Sequence, residues 1–306
     1  GKTQALTCIF ALALMVCVSL PAAQVQRTFA TPEEASAALA GAVNAANRDE
    51  LRAIFGPAAA EIENPDRVQA ANELAAFSAA LSQTNCLARQ SDTRRVLTVG
   101  PEAWPFPVPI VQKDGRWLFD TAAGVEELIN RRIGRNELAT LDSVRGYVGA
   151  QREYASRDHD NDQVLEYAQK FASSPGTKDG LFWPPELDGE ISPLGPFAAA
   201  AAIEGYNNLT HPIGTSPTPF HGYYFKILLR QGKHAPGGKY NYIINGNMVA
   251  GFALLAWPAE YGETGIMTFV VNQQGKVYQK NLGPKTTKLA KAMTAYDPDP
   301  TWQVVP

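Results

Sequence analysis

The sequence predicts an α+β protein in two parts: helices followed by a curved antiparallel sheet, then a long helix packed on an antiparallel β-meander. Three observations carry that expectation. The front of the chain holds three apolar patterns at helical spacing and then β-type runs. A long amphipathic stretch follows. The tail holds five apolar or alternating runs whose links are too short for parallel crossovers and so require antiparallel neighbours.

The first residues, "GKTQALTCIFALALMVCVSLPAAQ", carry a positive Lys2, an apolar core through Leu12 to Val18, and Pro21, Ala22 and Ala23 at the end. That is the layout of a secretory signal peptide over residues 1–23, with small residues where the peptidase cuts. A membrane anchor is the alternative, but the core is short for a span. Cleavage predicts an extracytoplasmic protein, periplasmic or secreted, with no permanent membrane span. It also removes Cys8 and Cys17 and leaves Cys86, which cannot close an internal disulfide alone. "ALSQTNCLARQ" gives that thiol no activating base, so a buried structural cysteine is expected.

Residues 24–133 read as the first domain. Thr31 caps a helix with Pro32 at its first position and Glu33 and Glu34 at its positive end; Leu39, Val43 and Ala46 then recur at helical spacing. A short helix spans Asp49–Phe55 and stops at Gly56-Pro57. Another runs Asp66–Leu81, with Val68, Leu74, Phe77 and Leu81 roughly on one face. "RRVLTVG" and "VPIVQKDGRWLFDT" follow as strands, the second folding at Asp114-Gly115.

Residues 134–306 read as the second. Leu138, Leu141, Val144, Val148 and Ala155 mark a long amphipathic helix, with a break expected near Gly134. About sixty residues of irregular chain come next, long enough to carry structure or function of their own. Then come "HGYYFKILLRQG", "KYNYII", "NMVAGFALLAWP", "GIMTFVVNQ" and "KVYQKNL", with Asn245-Gly246 the strongest hairpin signal in the chain.

Several long motifs resemble a family: "RRIGRNELATLDSVRGYVGAQREYASRDHDND", "YAQKFASSPGTKDGLFWP", "GFALLAWPAEYGETGIMTFVVNQQGKVYQKNLG" and the closing "YDPDPTW" are similar to the bacterial exported domain of unknown function 2950. The resemblance implies a bacterial origin and an extracytoplasmic setting, and no activity. The front half, by its element order and the "KDGRWLF" strand pair, resembles the nuclear-transport-factor-2-like fold. That likeness implies a cone in which a histidine and a carboxylate often form a site, yet residues 24–158 contain no histidine. The back half resembles the globular heads of type IV pilins and pseudopilins, although a whole domain stands where the pilin assembly helix would be.

"RDHDNDQVLEYAQKF" places Asp158, Asp160 and Asp162 at positions one, three and five of a helix-hand calcium loop, with the Val164 carbonyl at seven and Glu166 at nine. Crowded oxygen ligands suit a hard cation, and the predicted role of Ca²⁺ is structural. Gln163 stands at six, where the turn prefers Gly, and Gln169 at twelve, where a bidentate Glu belongs. The alternative is a polar turn in which Asp162 caps a helix beginning at Val164.

His211, His221 and His234 lie in or beside loops without zinc-site spacing. Phe182 and Trp183 in "SSPGTKDGLFWPP", and His211, His221 and Tyr223 around "GTSPTPFHGYY", suit a rigid binding loop; the competing expectation is that Phe182, Trp183 and Tyr223 cover the sheet. No nucleotide or hydrolase signature is visible. With a net charge of −3 and no long basic run, nucleic acid is excluded as a partner. The sequence therefore predicts an exported, non-enzymatic protein that binds or scaffolds, with an envelope protein or polymer as partner. The other expectation is a periplasmic hydrolase whose acids lie in the cone or beside His211 and His221.

Overall fold

The computed structural model describes residues 25–187, 189–206 and 218–306. The expected leader at residues 1–23 and His211 lie outside the described residues.

The front half opens with four helices, α1 (Pro32–Asn44), α2 (Arg48–Phe55), α3 (Ala59–Ile62) and α4 (Arg67–Gln83). Three start on a side-chain cap: the Thr31, Asn47 and Asp66 oxygens accept the N–H of Glu34, Glu50, and Val68 with Gln69. Each cap satisfies donors that a helix start leaves open. The sheet that follows is antiparallel throughout: β1 (Asn85–Ser91), β2 (Arg94–Val99), β3 (Trp104–Pro105), β4 (Ile110–Lys113) and β5 (Arg116–Phe119), in the order β1-β2-β4-β5 with β3 beside β2. Asp114 and Gly115, at φ 51° and 74°, make the tight turn their sequence demands. Between helices and sheet lies a core of Leu39, Ile54, Leu97, Ile110 and Phe119, with Phe55 on Phe119 at 5.5 Å and Phe77 on Phe106 at 5.1 Å.

Cys86 corrects one expectation. It is exposed, because β1 is the sheet's edge strand and nearly every residue on it faces water.

A single helix, α5 (Thr121–Tyr154), starts directly after β5 and joins the halves. The break expected near Gly134 does not occur. A lone glycine costs a helix only about 1 kcal/mol, and the neighbouring Ile133 and Asn136 are buried on both sides of it. Leu128 packs on the front core, while Val144, Tyr147, Val148 and Tyr154 belong to the back one.

The back half adds α6 (Gly195–Ile203), β6 (Tyr223–Leu228), β7 (Arg230–Gln231), β8 (Tyr240–Asn241), β9 (Ile243–Ile244), β10 (Asn247–Met248), β11 (Ala253–Pro258), β12 (Met267–Asn272), β13 (Tyr278–Asn281), α7 (Thr286–Ala292) and β14 (Gln303–Val304). Its main sheet is antiparallel with the order β14-β13-β12-β11-β6. The sequence runs are thus not simple neighbours. "KYNYII" leaves the main sheet and forms two small pairs, β7 with β8 and β9 with β10, so β6 meets β11 directly. β11, held between β12 and β6, is buried along its whole length. No helix among the described residues is long and apolar enough to cross a membrane.

The seam between the halves is polar. Asp66, only 4% exposed, caps α4 with one oxygen; the other accepts the Tyr206 hydroxyl at 2.7 Å and the Gly222 N–H at 3.2 Å. Asn136 takes an N–H from Gln69 at 2.7 Å and donates to the Thr264 carbonyl at 2.8 Å. Glu137 accepts the N–H groups of Ile266 and Met267, both at 2.9 Å. Arg132, also buried, donates to the Ile62 carbonyl at 2.7 Å. Asp66→Ala removes the cap and strands two buried donors, so urea denaturation is expected to show a loss on the order of 3 kcal/mol. A loss below about 1 kcal/mol, the value of an exposed cap, would mean the seam bonds contribute nothing.

Candidate functional site

Two polar clusters stand out. The first is the aspartate loop at the exit of α5. Asp158, Asp160 and Asp162 each offer a carboxylate oxygen within 4.8 Å of the others. The loop folds on its own acids: Asp158 accepts the N–H of Asp160, Asn161 and Gln163, Asp160 that of Asp162, and Asp162 that of Val164. The Gln163 N–H, followed by those of Asn161 and Asp160, holds the Asp158 carboxyl below the usual carboxylate range. Asn161 and Gln163 take positive φ, 64° and 69°, so the sharp turn forms without glycine.

The helix expected from Val164 does not form. Residues from Val164 onward form irregular chain with isolated bridges, and Tyr167 bridges to Met248. The reason is lateral pairing: the Gln151 side chain takes the Ala168 N–H and carbonyl, and Gln169 donates to the Gly246 carbonyl. Glu166 is drawn away too. It accepts the Met248 N–H at 3.0 Å and stands apart from the three-aspartate cluster. Burial, joined by the charges of Asp160 and Asp162, pushes its carboxyl up.

The second cluster is a cleft of about 370 Å³ across the seam. Gln69, Asn72 and Glu73 of α4 form one wall and Arg135 of α5 the floor; Ile203, Glu204, Tyr206 and His221 close the far side. Arg135 is paired with Glu73 at 2.6 Å, and His221 Nε2 lies 3.0 Å from Glu204. Asn72 donates to the Glu204 carbonyl at 2.9 Å, tying the walls together. Burial and the hydrogen bond to Asp66 push the Tyr206 phenol far above its ordinary value, so it stays a donor. His221 has φ 47°, a left-handed conformation that non-glycine residues seldom adopt.

Of the aromatic candidates, Trp183 (1% exposed) and Tyr223 (0%) are core side chains, and this burial takes them out of the set open to a ligand. Tyr223 spends its hydroxyl on the Met267 carbonyl at 2.9 Å. Phe182 is half-buried and bridges to Ala172. His234 pairs with Asp297 at 3.1 Å, in a different part of the back half from His221. Of the sequence candidates only His221 lines the cleft; its other residues escaped sequence reasoning, since Glu204 belongs to no local motif and Asp66 and Tyr206 meet across 140 residues.

Fold and clusters together define a two-part α+β protein built on one shared helix, with its polar side chains gathered at the seam and at the helix exit. The family described as "Protein of unknown function (DUF2950)" matches residues 26–305, and the chain belongs to it. No curated protein and no solved structure matches the chain.

His159, inside the aspartate loop, anchors it to the core. Its ring stacks on Tyr154 at 4.3 Å and lies 5.3 Å from Trp183, with Nε2 3.1 Å from the Tyr154 carbonyl. Burial lowers its pKa, against the opposing pull of that carbonyl and of Glu190 and with smaller help from Lys178 and Arg157. With a lowered folded value, the unfolded chain takes the proton first as pH falls below about 6.5. Stability contributed by the neutral ring is therefore complete at neutral pH and declines through the window just below it. Thermal melts of the parent and of His159→Gln across pH 5–7.5 are expected to diverge there, the variant showing the flatter profile.

Proposed function

We propose that the chain is an exported bacterial protein of the cell envelope or extracellular space that acts by binding an envelope protein or polymer. Its aspartate loop is read as a structural calcium site. Export rests on the sequence of residues 1–23. The observation that carries the binding reading is the filled front half. In a nuclear-transport-factor-2-like cone the interior is where a ligand would enter, and here Phe55, Phe77, Phe106 and Phe119 occupy it. The side chains able to meet a partner lie instead in the open cleft of the seam. A pilin-head-like reading of the back half is supported by the packing of α5 on the antiparallel sheet.

The calcium reading is supported by the convergence of Asp158, Asp160 and Asp162. Three adjacent carboxylates repel one another, and a hard dication offsets that repulsion. Expressed behind an initiator Met with residues 1–23 retained, the protein is expected in the extracytoplasmic fraction. Purified from there, it should melt several degrees higher with millimolar Ca²⁺, and EDTA should reverse the shift. An Asp160→Ala variant that responds to Ca²⁺ like the parent would remove the ion from the account.

One contact favours a second reading, a periplasmic hydrolase. The Glu204–His221 pair is the arrangement by which a carboxylate orients a basic imidazole. Under the binding reading, ester, peptide and glycoside reporters are expected to show no turnover above the buffer rate. Turnover that disappears in His221→Gly, a replacement suited to that positive φ, would establish the hydrolase instead.

A further inference from the structure

We propose that the seam cleft binds an uncharged, polyhydroxylated ligand, the end or a short stretch of a saccharide chain. This rests on the binding reading above and adds the chemical class of the ligand.

Charge comes first. Glu73 faces Arg135 at 2.6 Å and Glu204 faces His221 at 3.0 Å, so each acid in the cleft has a base beside it. One full ion pair and one carboxylate–imidazole contact offer hydrogen bonds without a dense field of one sign, which gives strongly charged polymers little hold. The hydrogen-bonding groups are planar and two-pronged: the amides of Gln69 and Asn72, the carboxylates of Glu73 and Glu204, and the Arg135 guanidinium. Each can engage two neighbouring hydroxyls, one of a sugar ring's recurrent features.

These groups also have capacity to spare. Asn72 spends one amide N–H on the Glu204 carbonyl, and Gln69 spends one on Asn136 while accepting from Asn64 at 2.8 Å. Among the described residues, a second N–H on each amide and four of the five on Arg135 have no other partner. Apolar contact is present as well. Ile203 lines the cleft at 89% exposure, and the His221 ring is tilted on Tyr206 at 5.4 Å, so a sugar's C–H face has a surface to lie on. The volume, about 370 Å³, falls in the ordinary small-ligand range.

The walls are held in place before any ligand arrives. Asp66 fixes Tyr206 and Gly222, the residue after His221, and a Cβ on Gly222 would stand 2.6 Å from Asn136 Nδ2. That close approach leaves no room for a side chain at Gly222, and the His221–Gly222 turn takes positive φ at both residues, 47° and 73°. A turn of that shape is met at least cost by glycine or asparagine; histidine there carries strain, and strained positions cluster at ligand-holding sites.

The test is a glycan array probed with the purified chain, residues 24–306, followed by calorimetric titration of the strongest hit. Saturable binding is expected, weakened at least tenfold by Asn72→Ala and by His221→Gly and unchanged by Asp92→Ala in the exposed β1–β2 turn, with both cleft variants melting like the parent. Should His221→Gly melt lower, Asn72→Ala on an exposed helix face decides alone. Absence of any saturable hit, equal affinity in the Asn72→Ala protein, or tighter binding of inorganic phosphate overturns the saccharide assignment and leaves the binding-protein reading standing. A glycan that is bound and then cleaved has the opposite effect: it upholds the ligand class and overturns the non-enzymatic reading.

Discussion

The arrangement depends on one buried carboxylate. Asp66 lies at the start of α4, and its two oxygens serve two halves of the molecule. One does local work, capping a helix. The other reaches a phenol and a backbone N–H more than a hundred residues away, and so fixes where the back half begins its main sheet. A buried charge is tolerable only when its hydrogen-bonding capacity is taken up. Four donors meet that condition here, and satisfying them defines the seam.

The two cores and the seam follow different physics. Each core is apolar and closely packed, with aromatic rings in the front and the fully buried β11 in the back. Such surfaces gain stability by leaving water and impose little direction. The seam uses Asn136, Glu137, Gln69 and Asp66, whose bonds have fixed geometry. Directional bonds in a water-poor junction set orientation, while the cores supply most of the cohesion. The cleft lies at this junction because polar side chains not consumed by it remain at its margin.

What the sequence revealed was mostly local. Thr31 with Pro32, Asp114-Gly115 and Asn245-Gly246 announce caps and turns within a few residues, and the structure has them where those signals stand. The clustering of the three aspartates was also visible, since alternate acids in a turn are local too. Pairings settled by a partner outside the run were not. β1 is a polar run that becomes a strand because β2 folds back beside it, which also leaves Cys86 in water. The segment after Val164 has helical spacing but is claimed by Gln151 and by the β9–β10 hairpin. Gly134 resembles a helix break until Asn136 and Ile133 are seen buried beside it. In each case a contact made outside the run itself outweighed a preference worth about 1 kcal/mol or less.

The shared helix makes the chain length between the halves unforgiving. α5 carries Leu128 into one core and Val144 into the other without a joint between them. An α-helix advances about 1.5 Å and turns about 100° with every residue. One amino acid inserted between Leu128 and Asn136 would swing the whole back half by more than a quarter turn about the rod, pulling the seam partners out of reach. Near-whole turns alone could restore their facing, and even those would shift one half along the axis. The helix thus works as a keyed shaft, on which angular position as well as spacing belongs to the design.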